Sequence, residues 1–133
     1  MRYRYQHVRR GANIRHLPLV PVTLHGRTDS VEVLALVDSG AEENVFQEQI
    51  ADDLQIAVDS GQEVIITGYD GSEGRAWRVM VDMQLGQHTW QSPVVFSSAI
   101  GRRGLLGGSG FFAFFTVTFR YRKREMEITR TRR

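Results

Sequence analysis

Apolar residues recur at every second position through much of this chain. From Trp77 to Leu85 the pattern is strict, with Trp77, Val79, Val81, Met83 and Leu85 alternating with Arg78, Met80, Asp82 and Gln84. That is the period of a strand with one buried face. Val64-Ile65-Ile66-Thr67 reads as a second strand, and Gly68-Tyr69-Asp70-Gly71-Ser72-Glu73-Gly74 between them is a glycine-rich polar tip, so the three make a β-hairpin. Leu17 to Leu24 reads as an edge strand, because Pro18 and Pro21 have no N–H to give to a central ladder. Val31 to Val37 begins alternating and ends continuously apolar, which suits burial on both faces. Thr89 to Phe96 is a further strand, and Thr116–Phe119 with Glu125–Ile128 forms a closing hairpin around a basic turn. Phe46, Ile50 and Leu54 stand at helical spacing and predict a short surface helix. Residues 1–16 are polar and read as a basic arm, extended or poorly ordered, ahead of one domain over 17–133. The pattern is mostly β, with one or two short helices.

With 133 residues the chain suits a single domain that buries about two-thirds of its unfolded surface. It has no cysteine, which excludes disulfides, thiol catalysis and thiolate metal sites. His7, His16, His25 and His88 lack metal-ligand spacing, so neither a metal nor a cofactor is expected. Gly107-Gly108-Ser109-Gly110 lacks the frame of a nucleophile elbow, and no Gly-Lys-Ser/Thr follows it to make a phosphate loop. No stretch approaches the roughly 20 apolar residues that span a bilayer, and Met1 to His7 leads into no apolar signal segment, so a cytoplasmic protein is expected.

Charge is sharply segregated beneath a net +2. Every acidic residue but Glu125 and Glu127 lies between Asp29 and Asp82, where the only basic residues are Arg75 and Arg78. Arg2, Arg4, Arg9, Arg10 and Arg15 crowd one end, and Arg120, Arg122, Lys123, Arg124, Arg130, Arg132 and Arg133 the other. Such ends suit nucleic acid or an acidic partner. With no base-stacking module present, the favoured reading is solvated ends of a dimer, or arms touching the acidic middle of the same fold.

The candidate chemistry sits at Val37-Asp38-Ser39-Gly40-Ala41-Glu42-Glu43, fed by Val33-Leu34-Ala35-Leu36. A lone carboxylate at a core boundary costs several kcal/mol to desolvate unless neighbours hold it. Chemistry that needs a carboxylate on a rigid platform is one reason to place it there. A second copy, Asp59-Ser60-Gly61, follows only Ile56-Ala57-Val58 and runs into polar Gln62-Glu63, so it reads as a turn.

Asp38-Ser39-Gly40-Ala41 after an apolar strand resembles the active-site loop of the single-lobe aspartic peptidases of retroviral type, the retropepsins. The glycine-tipped hairpin and Leu105-Leu106-Gly107 follow in the order of that family's flap and its hydrophobic-hydrophobic-glycine strand. The stretch from Gly107 through Phe111-Phe112 is similar to small prokaryotic members. The resemblance covers about residues 17–129. It implies an acid-protease closed barrel or sandwich, one lobe per chain, and a homodimer in which Asp38 faces its symmetry mate. It implies an aspartic endopeptidase acting on peptides or proteins, with Asp38 catalytic and with Ser39 and Gly40 supporting the loop. Ala41, Glu42, Glu43 and Val45 would line substrate subsites or offer backbone groups, Leu106 would wall the pocket, and Gly68, Tyr69, Asp70, Gly71 and Ser72 would form the flap. Where retroviral members often carry Arg and then Asp or Asn, this chain has Gly108 and Ser109. Glu42 is thereby deprived of its usual arginine, with Arg102 or Arg103 the candidates to replace it. Two other readings stand beside the enzyme: an inactive dimer of the same fold that binds extended peptides, and a nucleic-acid-associated module using the basic ends.

Overall fold

The computed structural model describes residues 1–67 and 71–131. Its strands are β1 (Arg2–Arg4), β2 (Gln6–Arg10), β3 (Asn13–Leu17), β4 (Leu19–His25), β5 (Ser30–Val37) and β6 (Asn44–Gln47). Then follow β7 (Gln62–Thr67), β8 (Glu73–Leu85), β9 (His88–Ser97), β10 (Gly104–Leu106), β11 (Phe115–Arg120) and β12 (Glu125–Arg130). One α-helix, α1, covers Glu48–Asp53. The main sheet runs β4-β5-β10-β6-β9-β8-β7, and β8 pairs back onto β4 through Thr23↔Gln84 and His25↔Asp82. That extra pairing closes a barrel and leaves β7 outside it, as one arm of the hairpin it forms with β8.

Period-two alternation fills the barrel. Val20, Val22 and Leu24 of β4, Val33, Ala35 and Val37 of β5, Val81, Met83 and Leu85 of β8, and Phe96 of β9 are all buried. Each large side chain among them contributes roughly 1.5–3 kcal/mol of transfer free energy. Trp90 packs on Phe115 with ring centroids 4.8 Å apart, and Phe111 stacks on Phe115 at 4.9 Å, which closes the barrel end near Gly110.

Several expectations change in detail. The edge strand holds over the prolines, where β4 has only β5 as partner, but its last residues are central because β8 joins there. β5 is not buried on both faces. Leu34 is 39% exposed, since no layer covers the outer side of the barrel wall at that point. Phe46 belongs to β6 instead of the helix, because it pairs in register with Phe96 on the parallel neighbour β9. The N-terminal arm is extended and paired: β1 lies on β12, and β2 and β3 form a hairpin around Gly11, whose φ is +60°. Among the described residues, no ion pair joins the arms to the acidic middle. Arg2 pairs with Glu127 at 3.8 Å, joining the two ends of the chain to each other.

Candidate active site

Strand β10 slots between β5 and β6. It runs parallel to β5, with Leu106 opposite Val37, and antiparallel to β6, with Leu105 opposite Val45. The segment Asp38–Glu43 therefore has to loop over the end of β10. The ladder runs on into it, since the Asp38 amide donates to the Leu106 carbonyl at 3.0 Å. The chain then turns tightly: the Ala41 amide donates to the Asp38 carbonyl at 3.1 Å, and the Gly40 amide donates to Asp38 Oδ1 at 2.9 Å. Asp38 is half-buried, with Oδ1 held by the turn, and among the described residues Oδ2 has no protein partner.

The outer half of the loop lies on the turn after β10. Gly108 donates to the Ala41 carbonyl at 2.9 Å and Ser109 to the Glu42 carbonyl at 2.8 Å. Gly107 makes this approach possible, because a Cβ there would stand 2.5 Å from the Glu43 carbonyl oxygen and 2.7 Å from that of Ala41. A single π-helical turn over Gly108–Phe112 follows, and Trp90 Nε1 pins it by donating to the Gly110 carbonyl at 2.8 Å.

Below the loop runs a buried polar chain. The Gly107 amide donates to Asn44 Oδ1 at 2.9 Å, and Asn44 Nδ2 donates to Ser92 Oγ at 2.9 Å. The Ser92 hydroxyl passes its proton to the Pro93 carbonyl at 2.9 Å or that of Gly110 at 3.2 Å. Asn44 and Ser92 are wholly buried. Such groups stay in a core only when satisfied, and a satisfied network holds its neighbours in one arrangement. Neither residue stood out in the sequence. The one signal was a polar side chain at each of two positions where strand alternation calls for an apolar one.

Arg78 was also missed as a site residue. From β8 it grips the Glu43 carboxylate with both Nε and Nη2, at 2.5 and 2.8 Å, and Nη1 donates to Gln62 Oε1 at 2.7 Å across the hairpin base. The bond to Glu43 raises the Arg78 pKa still higher, partial burial opposing it, so the guanidinium stays charged. The Asp38 loop is thus tied by charge to the β7–β8 hairpin. The clue was in the sequence, since Arg78 is one of only two cations in the acidic middle.

The other proposed site residues fall unevenly. Val45 lines an apolar groove of about 370 Å³ together with Ile66, Thr67, Ser97, Ile100 and Leu105. Leu106 does not wall it. In register with Val37, it shares that residue's core face and is 0% exposed, while Leu105 turns to the groove. Ala41 and Glu42 have their carbonyls bonded to the amides of Gly108 and Ser109, and the Glu43 carboxylate is engaged by Arg78. Ser39, Gly40 and Glu42 are exposed. Arg102 and Arg103 line a separate depression with Glu32 and Leu34, and neither forms an ion pair with Glu42. The β7–β8 hairpin is paired up to Thr67↔Glu73, and Gly71 has a φ of +81°, a conformation that favours glycine. Gly68, Tyr69 and Asp70 lie outside the described residues. Asp59 is exposed on a 3-10 turn over Val58–Ser60, where Ser60 Oγ donates to the Ala57 carbonyl.

Comparison with known proteins places this fold and sequence in a family. The chain matches the aspartyl protease family over residues 20–109, and it belongs to that family. In structure it is similar to a retropepsin-like aspartic protease from Rickettsia conorii, with a TM-score of 0.66 over 97% of this chain and 98% of that one. Identity between the two is 15%, so the likeness speaks for the fold. No curated protein matches the sequence. Among the described residues, no helix is long and apolar enough to cross a membrane.

Proposed function

We propose that this chain is a homodimeric aspartic endopeptidase in which Asp38 and its symmetry mate share one catalytic water. The observation that carries this reading is the Asp38 turn itself. It holds a half-buried carboxylate on a turn bonded to β10, the strand whose Leu105 lines the apolar groove, and among the described residues it brings no second acid into contact with that carboxylate. Peptide hydrolysis by this chemistry needs two carboxylates, and a two-fold axis beside Asp38 supplies the other.

Two carboxylates about 3 Å apart cannot both ionise cheaply, so the pair holds a single proton and titrates as a unit. The ionised member takes a proton from the water as its oxygen attacks the scissile carbonyl carbon. The protonated member donates to the developing oxyanion. The tetrahedral intermediate then collapses, the C–N bond breaks, and the leaving nitrogen receives a proton from the dyad. Each acid or base role is worth roughly 10²–10⁴-fold. The groove along Val45, Ile66 and Leu105 would take an apolar substrate side chain, and the hairpin above it would close over the peptide.

The test incubates the chain with a mixed peptide library from acidic to neutral pH and reads fragments by mass spectrometry. Cleavage by the wild type that disappears in Asp38→Asn is the expected result. Peptide binding without cleavage at any pH would replace the enzyme with a binding module of the same fold.

A further inference from the structure

The two basic ends of the chain, far apart in sequence, build one pocket. The Tyr5 amide donates to the Arg124 carbonyl at 2.8 Å, Arg124 Nη1 meets His16 Nε2 at 2.5 Å, and the Tyr5 and Tyr121 rings touch edge to face at 6.5 Å. The resulting cavity of about 590 Å³ is lined by Arg15, His16, Tyr121 and Arg124, among others. His16 accepts from a guanidinium and so is the neutral member. The positive charge is that of Arg15 and Arg124, which are exposed and form no ion pair among the described residues. Arg124 also holds a left-handed backbone, with φ +52°, a conformation uncommon outside glycine. Where a non-glycine residue is kept in such a conformation, its placement is a reason to look for a function.

The position of this pocket narrows what it can bind. Its wall includes Pro18, whose carbonyl accepts from the Val37 amide at 3.0 Å, and Val37 is the residue before Asp38. The pocket is therefore next door to the catalytic loop. On that loop Glu42 is exposed and unpaired among the described residues, while its backbone is fixed by Ser109. Its neighbour Glu43 is already taken by Arg78. One chain thus carries an exposed carboxylate on a fixed backbone and, close by, two guanidinium groups that have no acidic partner among the described residues.

The geometry points to a second copy of this chain as the occupant, with Glu42 of each copy entering the Arg15–Arg124 pocket of the other. This rests on the homodimer reading above. A two-fold axis beside Asp38 turns the loop of one copy toward the loop-side wall of its partner, and the isologous symmetry makes the contact twice. The bidentate geometry of arginine suits a carboxylate, and complementary charge sets register and partner choice. The contact fixes the loop that bears Asp38, so it orients the dyad as well as holding the dimer.

Charge reversal and rescue test it. The dimer dissociation constant of the full chain is measured by sedimentation equilibrium at low and high salt, with circular dichroism confirming the fold of each variant. Glu42→Arg and Arg15→Glu, both at exposed positions, should each raise that constant at least tenfold, and combining them should bring it back to within about threefold of wild type. Raising salt should weaken the wild-type dimer and leave Glu42→Gln much less affected. Should Arg124→Glu fail to fold, the Arg15 and Glu42 pair carries the test alone. A wild-type dimer indifferent to all these changes would overturn the inference while leaving the homodimer intact. A wild-type chain that stays monomeric with peptide present would remove the homodimer reading itself. Binding of a single-stranded oligonucleotide that is lost in Arg15→Glu, with dimerisation unaltered, would assign the pocket to nucleic acid and also overturn the inference.

Discussion

Around Asp38 the backbone is held by backbone: loop amides and carbonyls are matched to Leu106, Gly108 and Ser109, and a buried Asn44–Ser92 chain lies underneath. Around Arg124 the Tyr5 amide supplies a backbone bond, and the rest of the contact is made by side chains from the two ends of the chain, an arginine–histidine bond and a pair of tyrosine rings. The first region is rigid before anything binds, as catalytic positioning requires. The second has spare donors and needs a partner to use them. On the readings proposed above, neighbouring regions of one small domain divide the work, one poised for chemistry and the other for association.

The largest effect expected is on chemistry alone. Asp38→Asn should lower peptide cleavage by at least about 10³-fold with little change in melting temperature, because the exchange keeps shape and the residue is only half-buried. Asp59→Asn, in its exposed turn, should leave both unchanged. Kinetics and a thermal melt on the two variants decide it, and loss of activity in the Asp59 variant would reverse the assignment.

Next comes the buried chain. Asn44→Ala removes the acceptor of the Gly107 amide and the donor to Ser92, leaving buried groups unpaired. That should cost about 2–4 kcal/mol, or a fall in Tm of roughly 10 °C. Cleavage should suffer too, measured well below the new Tm, because the turn under the loop loses its tie. An activity loss without any fall in Tm would break the claim that rigidity at this site comes from the core.

Arg78→Met should act more gently. The Glu43–Arg78 pair is partly solvated, so its removal should cost about 1 kcal/mol or less. Its effect belongs in the coupling of hairpin to loop: KM for a peptide should rise several-fold and, if closure also positions the peptide, kcat should fall with it. Arg78→Lys should restore only part, since an ammonium cannot grip a carboxylate with two planar N–H groups. Unchanged kinetics in Arg78→Met would reduce the pair to a surface ion pair.

The smallest effect is a pH dependence in the second region. Desolvation, then the charges of Arg124 and His7, lowers the His16 pKa from its ordinary value. A base whose folded pKa is lowered binds fewer protons folded than unfolded, so stability is full above about pH 6.5 and declines as pH falls below that value toward the lower folded one. A slight loss of melting temperature across that window should vanish in His16→Gln. A loss of equal size in the variant would place the titration elsewhere.

What could be read in advance follows the same division. Asp38, the β7–β8 hairpin and the closing β11–β12 hairpin were legible because each depends on local pattern. The exchange of Leu106 for Leu105 was not, since the motif names a pair and only the register with Val37 decides which member faces the core. Glu43 and Arg78 stand on separate strands, and nothing local connects them. The basic pocket was invisible as a pocket. Arginines were seen at both ends, but their meeting depends on β1 lying along β12 and on Tyr5 reaching Arg124.

The insertion of β10 between β5 and β6 also bears on when the Asp38 turn comes into being. A ribosome makes Asp38 early and Leu106 late, yet Asp38 gains its backbone bond only when Leu106 arrives. Contacts so distant along the chain form slowly, after the entropy of closing the intervening segment has been overcome. The catalytic turn should therefore be among the last parts to order during refolding, acquiring protection from hydrogen exchange together with Gly107 and well after the β8–β9 hairpin. A nascent chain that has not yet extended past β10 would lack this turn, so on the proposed function it would have no proteolytic activity until β10 is made.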